Sequence, residues 1–364
     1  MEFIQKTYGT KMYVNMLKNI FDEFDHKSNY VSHTELNSGH INDTFFIETE
    51  GKTNYILQRI NHKIFKDVAG LVNNKVLVSN HLKSKFSNKS DKDLDQKVLS
   101  FVKVKNNDLH YFKKGQDFWN LMIFINNSVT HETVKDKGIA FEAGKLLGNF
   151  LNNTSDFESN QLIEVIPNFH DMSFRYSQYE NALKNASNVR LKNAEKYTKL
   201  VADLKEEMHI LQHLKEAGEI PTRVTHNDTK ISNSLFDKNN KGICMIDTDT
   251  VMPGIIHYDF GDAIRTICNT AAEDEKNLEK VTFNLEFYEA YKKGFLEETK
   301  ASLSEIELKY LPLAAKTMIF IMALRFLTDY LNNDVYYKTI YQDHNLDRAK
   351  NQFKLIESFS EKML

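Results

Sequence analysis

The stretch Val224-Thr225-His226-Asn227-Asp228-Thr229-Lys230-Ile231-Ser232-Asn233-Ser234-Leu235-Phe236-Asp237, with Gly242-Ile243-Cys244-Met245-Ile246-Asp247-Thr248-Asp249-Thr250 close behind it, decides the reading of this chain. It is a short β-rich island inside a region of helical texture. Apolar strand residues lead to His226 and Asp228, and Asn233 follows five residues after Asp228. A second apolar strand, Ile243 to Ile246, delivers Asp247 nineteen residues after Asp228.

Phosphoryl transfer needs these residue types at about this separation. One carboxylate receives or steers the proton of the substrate hydroxyl, and an Asn with a further carboxylate holds Mg²⁺ against nucleotide phosphates. The order H-x-D-x-x-x-x-N, then an apolar strand and Asp, is the catalytic core of kinase-like phosphotransferases. Taken singly, each residue has an ordinary reading. His226 is a core histidine bonded to backbone, which is structural in either case; Asp228 is a turn former or helix cap; Asn233 is a turn residue; Asp247 ends a strand. Their joint order favours Asp228 as base with Asn233 and Asp247 as metal ligands. A literal Asp259-Phe260-Gly261 lies 31 residues after Asp228 and reads as the opening of a helix. Asp247, at the end of a hydrophobic strand, is the better metal ligand, and Asp259 is assigned a structural role, anchoring the catalytic loop from below.

Around this island the texture divides. From Tyr30 to Phe124 it is mostly strand. One run ends at Leu36, the turn Asn37-Ser38-Gly39-His40 follows, and further runs cover Thr44–Glu48 and, after a turn at Glu50-Gly51-Lys52, Tyr55–Ile60. Ile64–Phe86 reads as a helix, and two more strands are expected at Val98–Val104 and Phe118–Ile125, joined through Asn106-Asn107. After Asn126 the apolar stripe Ile139, Ala140, Ala143, Leu146, Leu147, Phe150 and Leu151 has helical spacing. Helices are also expected at Phe174–Ala186, Val201–Glu216, Asp274–Phe295 and Glu305–Asn332, the last opening on a capping box at Ser304. The plan is α+β and two-lobed: a small antiparallel β lobe with one helix over residues 1–126, and a mostly helical lobe over 127–364, with the linker near Ile125–Thr130.

Composition narrows the class further. A chain of 364 residues suggests roughly two domains at about 150 residues each. Hydrophobic residues at 41% and charged residues at 27% are globular proportions. A formal charge of −3 gives no basic field for nucleic acid. Two cysteines, Cys244 and Cys268, make no disulfide framework and no metal-ligand spacing, which fits a reducing, cytoplasmic setting. The opening residues lack the apolar run of a signal peptide. The most apolar stretch, Leu311–Leu327, is interrupted by Lys316 and Arg325, so no membrane span is expected.

The segments SGHINDTFFI, YILQRIN, VTHNDTKISN, MIDTDTVMPG, YDFGDAIRT, RFLTDYLNND and YQDHNLDRAKNQFKL resemble the aminoglycoside phosphotransferase and choline kinase superfamily. Within it the chain is most similar to the N-acetylhexosamine 1-kinase group, for which HNDTK followed by IDTDTVMPG is specific. The resemblance implies a protein-kinase-like fold, five strands and a helix over a helical lobe. It likens Asp228 to the catalytic base and Asn233 and Asp247 to the magnesium ligands. Ser38, Gly39, His40, Ile41 and Asn42 sit where a phosphate-covering loop belongs, with one glycine in place of several. Ser38, Gly39 and Asn42 are thereby candidates for nucleotide binding. Arg59 stands where relatives carry the strand-three Lys, and Arg can grip phosphate bidentately; the following helix offers no obvious glutamate to pair with it. The acceptor pocket is implied to use Thr250, Arg325 and Tyr336, with His40 approaching acceptor or phosphate; a salt bridge to Asp329 is the structural alternative for Arg325.

These readings converge on an ATP- and Mg²⁺-dependent small-molecule kinase, acting as a monomer on the anomeric hydroxyl of an N-acetylhexosamine. The alternatives are another acceptor of the same superfamily (another sugar, choline, an amino alcohol or an aminoglycoside) or a kinase-shaped binding protein without turnover.

Overall fold

The computed structural model describes residues 10–36, 41–86 and 94–363. The chain divides into two compact units. The first comprises Met1–Ser128, Gln161–Val165 and Thr248–Val251, and the second Val129–Asn160, Ile166–Asp247 and Met252–Leu364.

In the first unit the alternation of apolar residues, two apart, builds an antiparallel sheet. Its strands are β1 (Asn29–Leu36), β2 (Asp43–Glu50), β3 (Tyr55–Ile60), β4 (Phe112–Lys114) and β5 (Asp117–Ile123), in the spatial order β1-β2-β3-β5-β4. One face carries Phe45, Ile47, Tyr55, Leu57, Trp119 and Leu121, packed in one core with Leu17, Ile20 and Phe21 of helix α1 (Thr10–Phe21). Side chains one residue out of phase point to the other face. There Gln58 meets helix α2 (Val68–Phe86).

The strand expected at Val98–Val104 does not form. Ser100 and Val102 instead bond the far end of β5, through Ile123 N–H to Ser100 O and Val102 N–H to Leu121 O, each 2.9 Å. The short β4 covers the other end of the same edge, from Asp117 to Trp119. Two segments thus share one sheet edge, and neither spans it. Helix α1 was absent from the sequence reading.

The second unit is built from helices α3 (Lys137–Asn153), α4 (Met172–Asn185), α5 (Asn188–Glu216), α6 (Ile256–Ile267), α7 (Leu285–Thr299), α8 (Glu305–Lys309), α9 (Leu311–Leu331) and α10 (His344–Met363). Two small antiparallel pairs join them: β6 (Arg223–Thr225) with β9 (Met252–Gly254), and β7 (Ser234–Phe236) with β8 (Gly242–Met245). Helices α3 and α7 cross closely because Gly144 and Gly294 face the opposite backbones. A Cβ at either would lie 2.0 Å from a carbonyl oxygen, of Tyr291 or Phe141 respectively.

Three helix expectations are corrected. The helix placed at Asp274–Phe295 starts only at Leu285, where the Asn284 side chain caps it by accepting from Phe287 N–H. Its intended first half is held in other ways, with Phe283 buried and bridged to Asn269. The helix placed at Val201 begins thirteen residues earlier, capped by Ser187. The long helix from Glu305 is two, joined at Tyr310, because Pro312 lacks an N–H and suits a helix's first turn. The capping box at Ser304 is present. Helix α10 was not expected at all. By length and composition α9 could cross a membrane, yet most of it is buried inside the protein and its Lys316 pairs with Glu207 at 2.7 Å. It is the central core helix of its unit.

Candidate active site

The island resolves into a clamp within the second unit. Strand β6 ends at Thr225, and the loop that follows turns on Asn227, whose backbone sits at φ +64°. An Asn tolerates this left-handed region better than most residues. The loop is pinned from one side by the first turns of α6. The Asp259 carboxylate accepts from His226 N–H at 2.7 Å and from Asn227 N–H at 2.6 Å. The Thr229 hydroxyl donates to Asp259 O at 2.6 Å, and Thr229 N–H donates to Asp262 at 3.0 Å. Asp262 in turn is held by Arg265. Burial pushes the Asp259 carboxyl up to about 7, against the pull of the two N–H donors. Asp259 therefore spends both oxygens on the loop backbone. Its neighbours in the literal Asp-Phe-Gly run serve packing: Phe260 is buried, and Gly261 lies so near α9 that a Cβ would stand 2.2 Å from Ala314 O.

From the other side the hairpin β7–β8 closes the clamp. His226 is wholly buried, with Nε2 2.8 Å from Ile246 O, so that nitrogen carries the proton. Burial lowers its pKa and keeps the ring neutral. Ile246 N–H donates to Asn233 O at 2.8 Å. These bonds bring the end of β8, and Asp247 at φ +58°, alongside the segment carrying Asp228 and Asn233. The Asn233 amide donates at 2.8 Å to both Asp228 O and Asp228 Oδ2.

Lys230 was missed at the sequence level. Its ammonium lies 3.1 Å from Asp228 Oδ2. Burial lowers its pKa, but the attraction of Asp228 and then Asp247 more than offsets this, so the net shift is upward. The signal was its place two residues after Asp228 in the quoted motif. The structure thus brings His226, Asp228, Lys230, Asn233, Asp247 and Asp259 into one constellation.

The donor set suits a magnesium ion completed by phosphate. Asn233 bonds Asp228 through its NH₂, which leaves the amide oxygen as a hard donor. Asp247 is exposed at the strand end. Among the described residues no group of three or more His, Cys, Asp or Glu could hold a metal by itself. Mg²⁺ characteristically uses one or two protein oxygens and takes the rest of its six ligands from water and phosphate.

The other expected site residues fall elsewhere. Ser38, Gly39 and His40 lie outside the described residues. Asn42 accepts from Asn61 N–H at 2.9 Å and donates to Asp249. Arg59 stands on the face of β3 that carries Leu57, away from α2, and pairs with Asp43 and, at 3.6 Å, Asp117. Thr250 is buried in the short turn Thr248–Thr250, grouped with the first unit. Arg325 and Tyr336 do meet, in the second unit. The guanidinium of Arg325 lies over Phe169, Tyr336 and Tyr337 at 5.5, 5.9 and 5.6 Å. Asp329 does not pair with Arg325. It accepts instead from Tyr336 N–H, Tyr337 N–H and the Asn345 side chain, at 2.8 to 2.9 Å. His170, next to Phe169, is buried with its ring 5.1 Å from that of Tyr258.

Solved structures of similar fold include several small-molecule kinases. The amicoumacin kinase hAmiN, solved in complex with AMP-PNP, Ca²⁺ and Ami, superposes with a TM-score of 0.59 at 14% identity, covering 96% of this chain and 94% of that one. Ethanolamine kinase from Plasmodium vivax gives 0.56 at 12%, covering 97% and 89%. Choline kinase LicA from Streptococcus pneumoniae gives 0.54 at 14%, covering 96% and 100%. At such identities the likeness establishes the kinase-like fold. Residues 115–303, more than half of the chain and the whole of the clamp, match the phosphotransferase enzyme family APH, and the chain belongs to that family.

Proposed function

We propose that this phosphotransferase is an ATP- and Mg²⁺-dependent kinase that phosphorylates the anomeric hydroxyl of an N-acetylhexosamine. Asp228 is the group that receives or steers the hydroxyl proton. Its carboxylate is oriented by Asn233 and Lys230, so that it need not reorganise as the acceptor oxygen attacks. Asn233 and Asp247 are the residues to hold magnesium, which when bound neutralises charge on the phosphates. Lys230, protonated between two carboxylates, is placed to meet negative charge on the transferring phosphoryl group. An anomeric hydroxyl is more acidic than an ordinary alcohol, and a loose transition state asks little of the base.

The observation that supports a neutral acceptor is Arg325. Its side chain is surrounded by aromatic rings, and among the described residues its hydrogen bonding is limited to a 3.5 Å contact with Met322 Sδ and no carboxylate pairs with it. A cation so placed repels choline or an amino alcohol, whereas its planar donors suit ring hydroxyls or an acetamido carbonyl.

The test is a panel of acceptors incubated with Mg²⁺ and ATP, the product phosphate being located by ³¹P NMR. N-acetylglucosamine and N-acetylgalactosamine are expected to carry phosphate at the anomeric oxygen, and their 1-O-methyl derivatives to be inert. Phosphate on the 6-hydroxyl, or equal turnover of the methylated sugar, overturns the 1-kinase reading and leaves a kinase of other specificity. Turnover of choline or an aminoglycoside in place of the sugars overturns the neutral-acceptor argument.

A further inference from the structure

Helix α2 carries a lysine where a cation is costly. Lys75 has a side chain only 2% exposed, and its ammonium pairs with Asp249, itself 4% exposed. It also lies 3.3 Å from Gln58 Oε1 on β3 and 5.3 Å from the ring of Phe101. The second oxygen of Asp249 accepts from Asn42, whose own amide oxygen is taken by Asn61 N–H. The residue before Lys75 on the helix, Asn74, donates to Val251 O at 2.9 Å and to Ile163 O at 2.8 Å. Two successive side chains of α2 thus grip the four-residue segment Thr248–Val251, which groups with the first unit although Asp247, the residue directly before it, does not.

A buried ion pair is a poor way to gain stability, because desolvating both charges offsets most of their attraction, and apolar replacements of similar volume often do as well. What such a pair supplies well is fixed geometry. Geometry is what this turn needs, since Asp247 holds a left-handed backbone that persists only where its surroundings over-determine it. Strand β3 offers no cation on this side, where Gln58 takes the place, and Arg59 is one residue out of phase on the other face.

We propose that Lys75 is a positioning residue, which fixes the turn after Asp247 through its ion pair with Asp249 and thereby sets the affinity of the Asp247 carboxylate for magnesium. The inference rests on the kinase reading above. Groups that orient metal ligands without touching the metal typically change affinity by about 10- to 100-fold when removed.

The experiment compares the full chain with Lys75→Met and with the double variant Lys75→Met/Asp249→Asn. Calorimetry measures binding of a non-hydrolysable ATP analogue across a Mg²⁺ titration, and a thermal melt is recorded for each protein. Lys75→Met leaves a lone buried carboxylate and is expected to melt lower; the double variant removes that charge and is expected to recover most of the melting temperature. In both, the Mg²⁺ concentration for half-maximal analogue binding is expected to rise at least about tenfold, with metal-free analogue binding unchanged. Where Lys75→Met does not fold, the double variant carries the test alone. A Mg²⁺ response that is unaltered in the folded variants makes the pair merely structural and overturns the proposal. Loss of metal-free analogue binding also overturns it, by making Lys75 a direct phosphate contact. Absence of Mg²⁺-dependent analogue binding in the unsubstituted protein defeats the kinase reading itself, a result distinct from either.

Discussion

Asn233 donates its side-chain amide to both the backbone oxygen and the carboxylate of Asp228, at 2.8 Å each, five residues across the same loop. One short side chain therefore fixes a carboxylate and its backbone together, and turns its own amide oxygen away from them. The same residue is a strut for the proposed base and a donor for the proposed metal. Substitutions at the two ends of this contact should separate these roles.

Asp228→Asn keeps the side chain's shape and leaves the fold intact. We expect turnover to fall by at least about a hundredfold, the scale of a positioned acid–base group, with the melting temperature and analogue binding little changed. Steady-state kinetics together with a melt check this, and near-normal turnover removes Asp228 from the mechanism.

Asp247 and Asp259 should fail in opposite ways. Asp247 is exposed and ends a strand, so Asp247→Ala should melt close to the parent and lose its response to Mg²⁺. Asp259→Ala leaves two buried N–H groups, of His226 and Asn227, without their acceptor. At about 1–3 kcal/mol for each unsatisfied group, the melting temperature should drop by several degrees. If Asp259→Ala loses the metal response and Asp247→Ala retains it, the assignment of the metal carboxylate is reversed.

Arg223 and Glu307 form a two-pronged pair, at 2.8 and 2.9 Å, in which the carboxylate is fully buried and also accepts from Ser304 N–H. Burial pushes the Glu307 carboxyl up, but Arg223 and Ser304 outweigh it and hold it below the ordinary value. Arg223→Leu strands a buried charge and should cost about 3–5 kcal/mol. Adding Glu307→Gln should restore much of that, as chemical denaturation of the three proteins would read. Equal stability of Arg223→Leu and the parent would show the pair to be inert.

His170 gives the protein an acid-side weakness. Burial lowers its pKa from 6.5 to about 3, so the folded state keeps the ring neutral where the unfolded chain takes up a proton. Its contribution to stability is therefore present above about pH 6.5 and is lost progressively as pH falls toward 3. One pH unit below the unfolded pKa this amounts to about 1.4 kcal/mol. His170→Gln should flatten the fall in melting temperature between neutral pH and pH 5. A melting curve as steep as the parent's would place the acid sensitivity elsewhere, His257 being the next candidate because burial lowers its pKa to about 4.

The site's chemistry was legible because it is local. His226, Asp228, Asn233 and Asp247 lie within 22 residues, the last of them following the continuous apolar run Ile243 to Ile246. The bonds of Asn233 to Asp228 span five residues, whereas those that tie the loop to Ile246 and Asp259 span 20 to 33 and belong to the tertiary structure. The capping box at Ser304 and the apolar stripe of α3 are local in the same way, and a literal Asp-Phe-Gly could be set aside because its Asp opens a helix whereas Asp247 follows an apolar strand. Where two distant segments compete or cooperate, the sequence was silent. Residues 98–104 look like a strand, and only the sheet shows that β4 takes half of the edge they would have filled. Arg59 and Gln58 are adjacent letters; which of them turns toward α2 follows from strand register, and a one-residue phase sends each to the opposite face. Lys75 meets Asp249 across 174 residues, and nothing along the chain marks either for the other. Motif and periodicity therefore determined the reaction class and most of the sheet and central helices, but not α1, α10 or the conformation of residues 98–104. Tertiary structure alone decided which charges are buried together, because burial depends on what the rest of the chain covers.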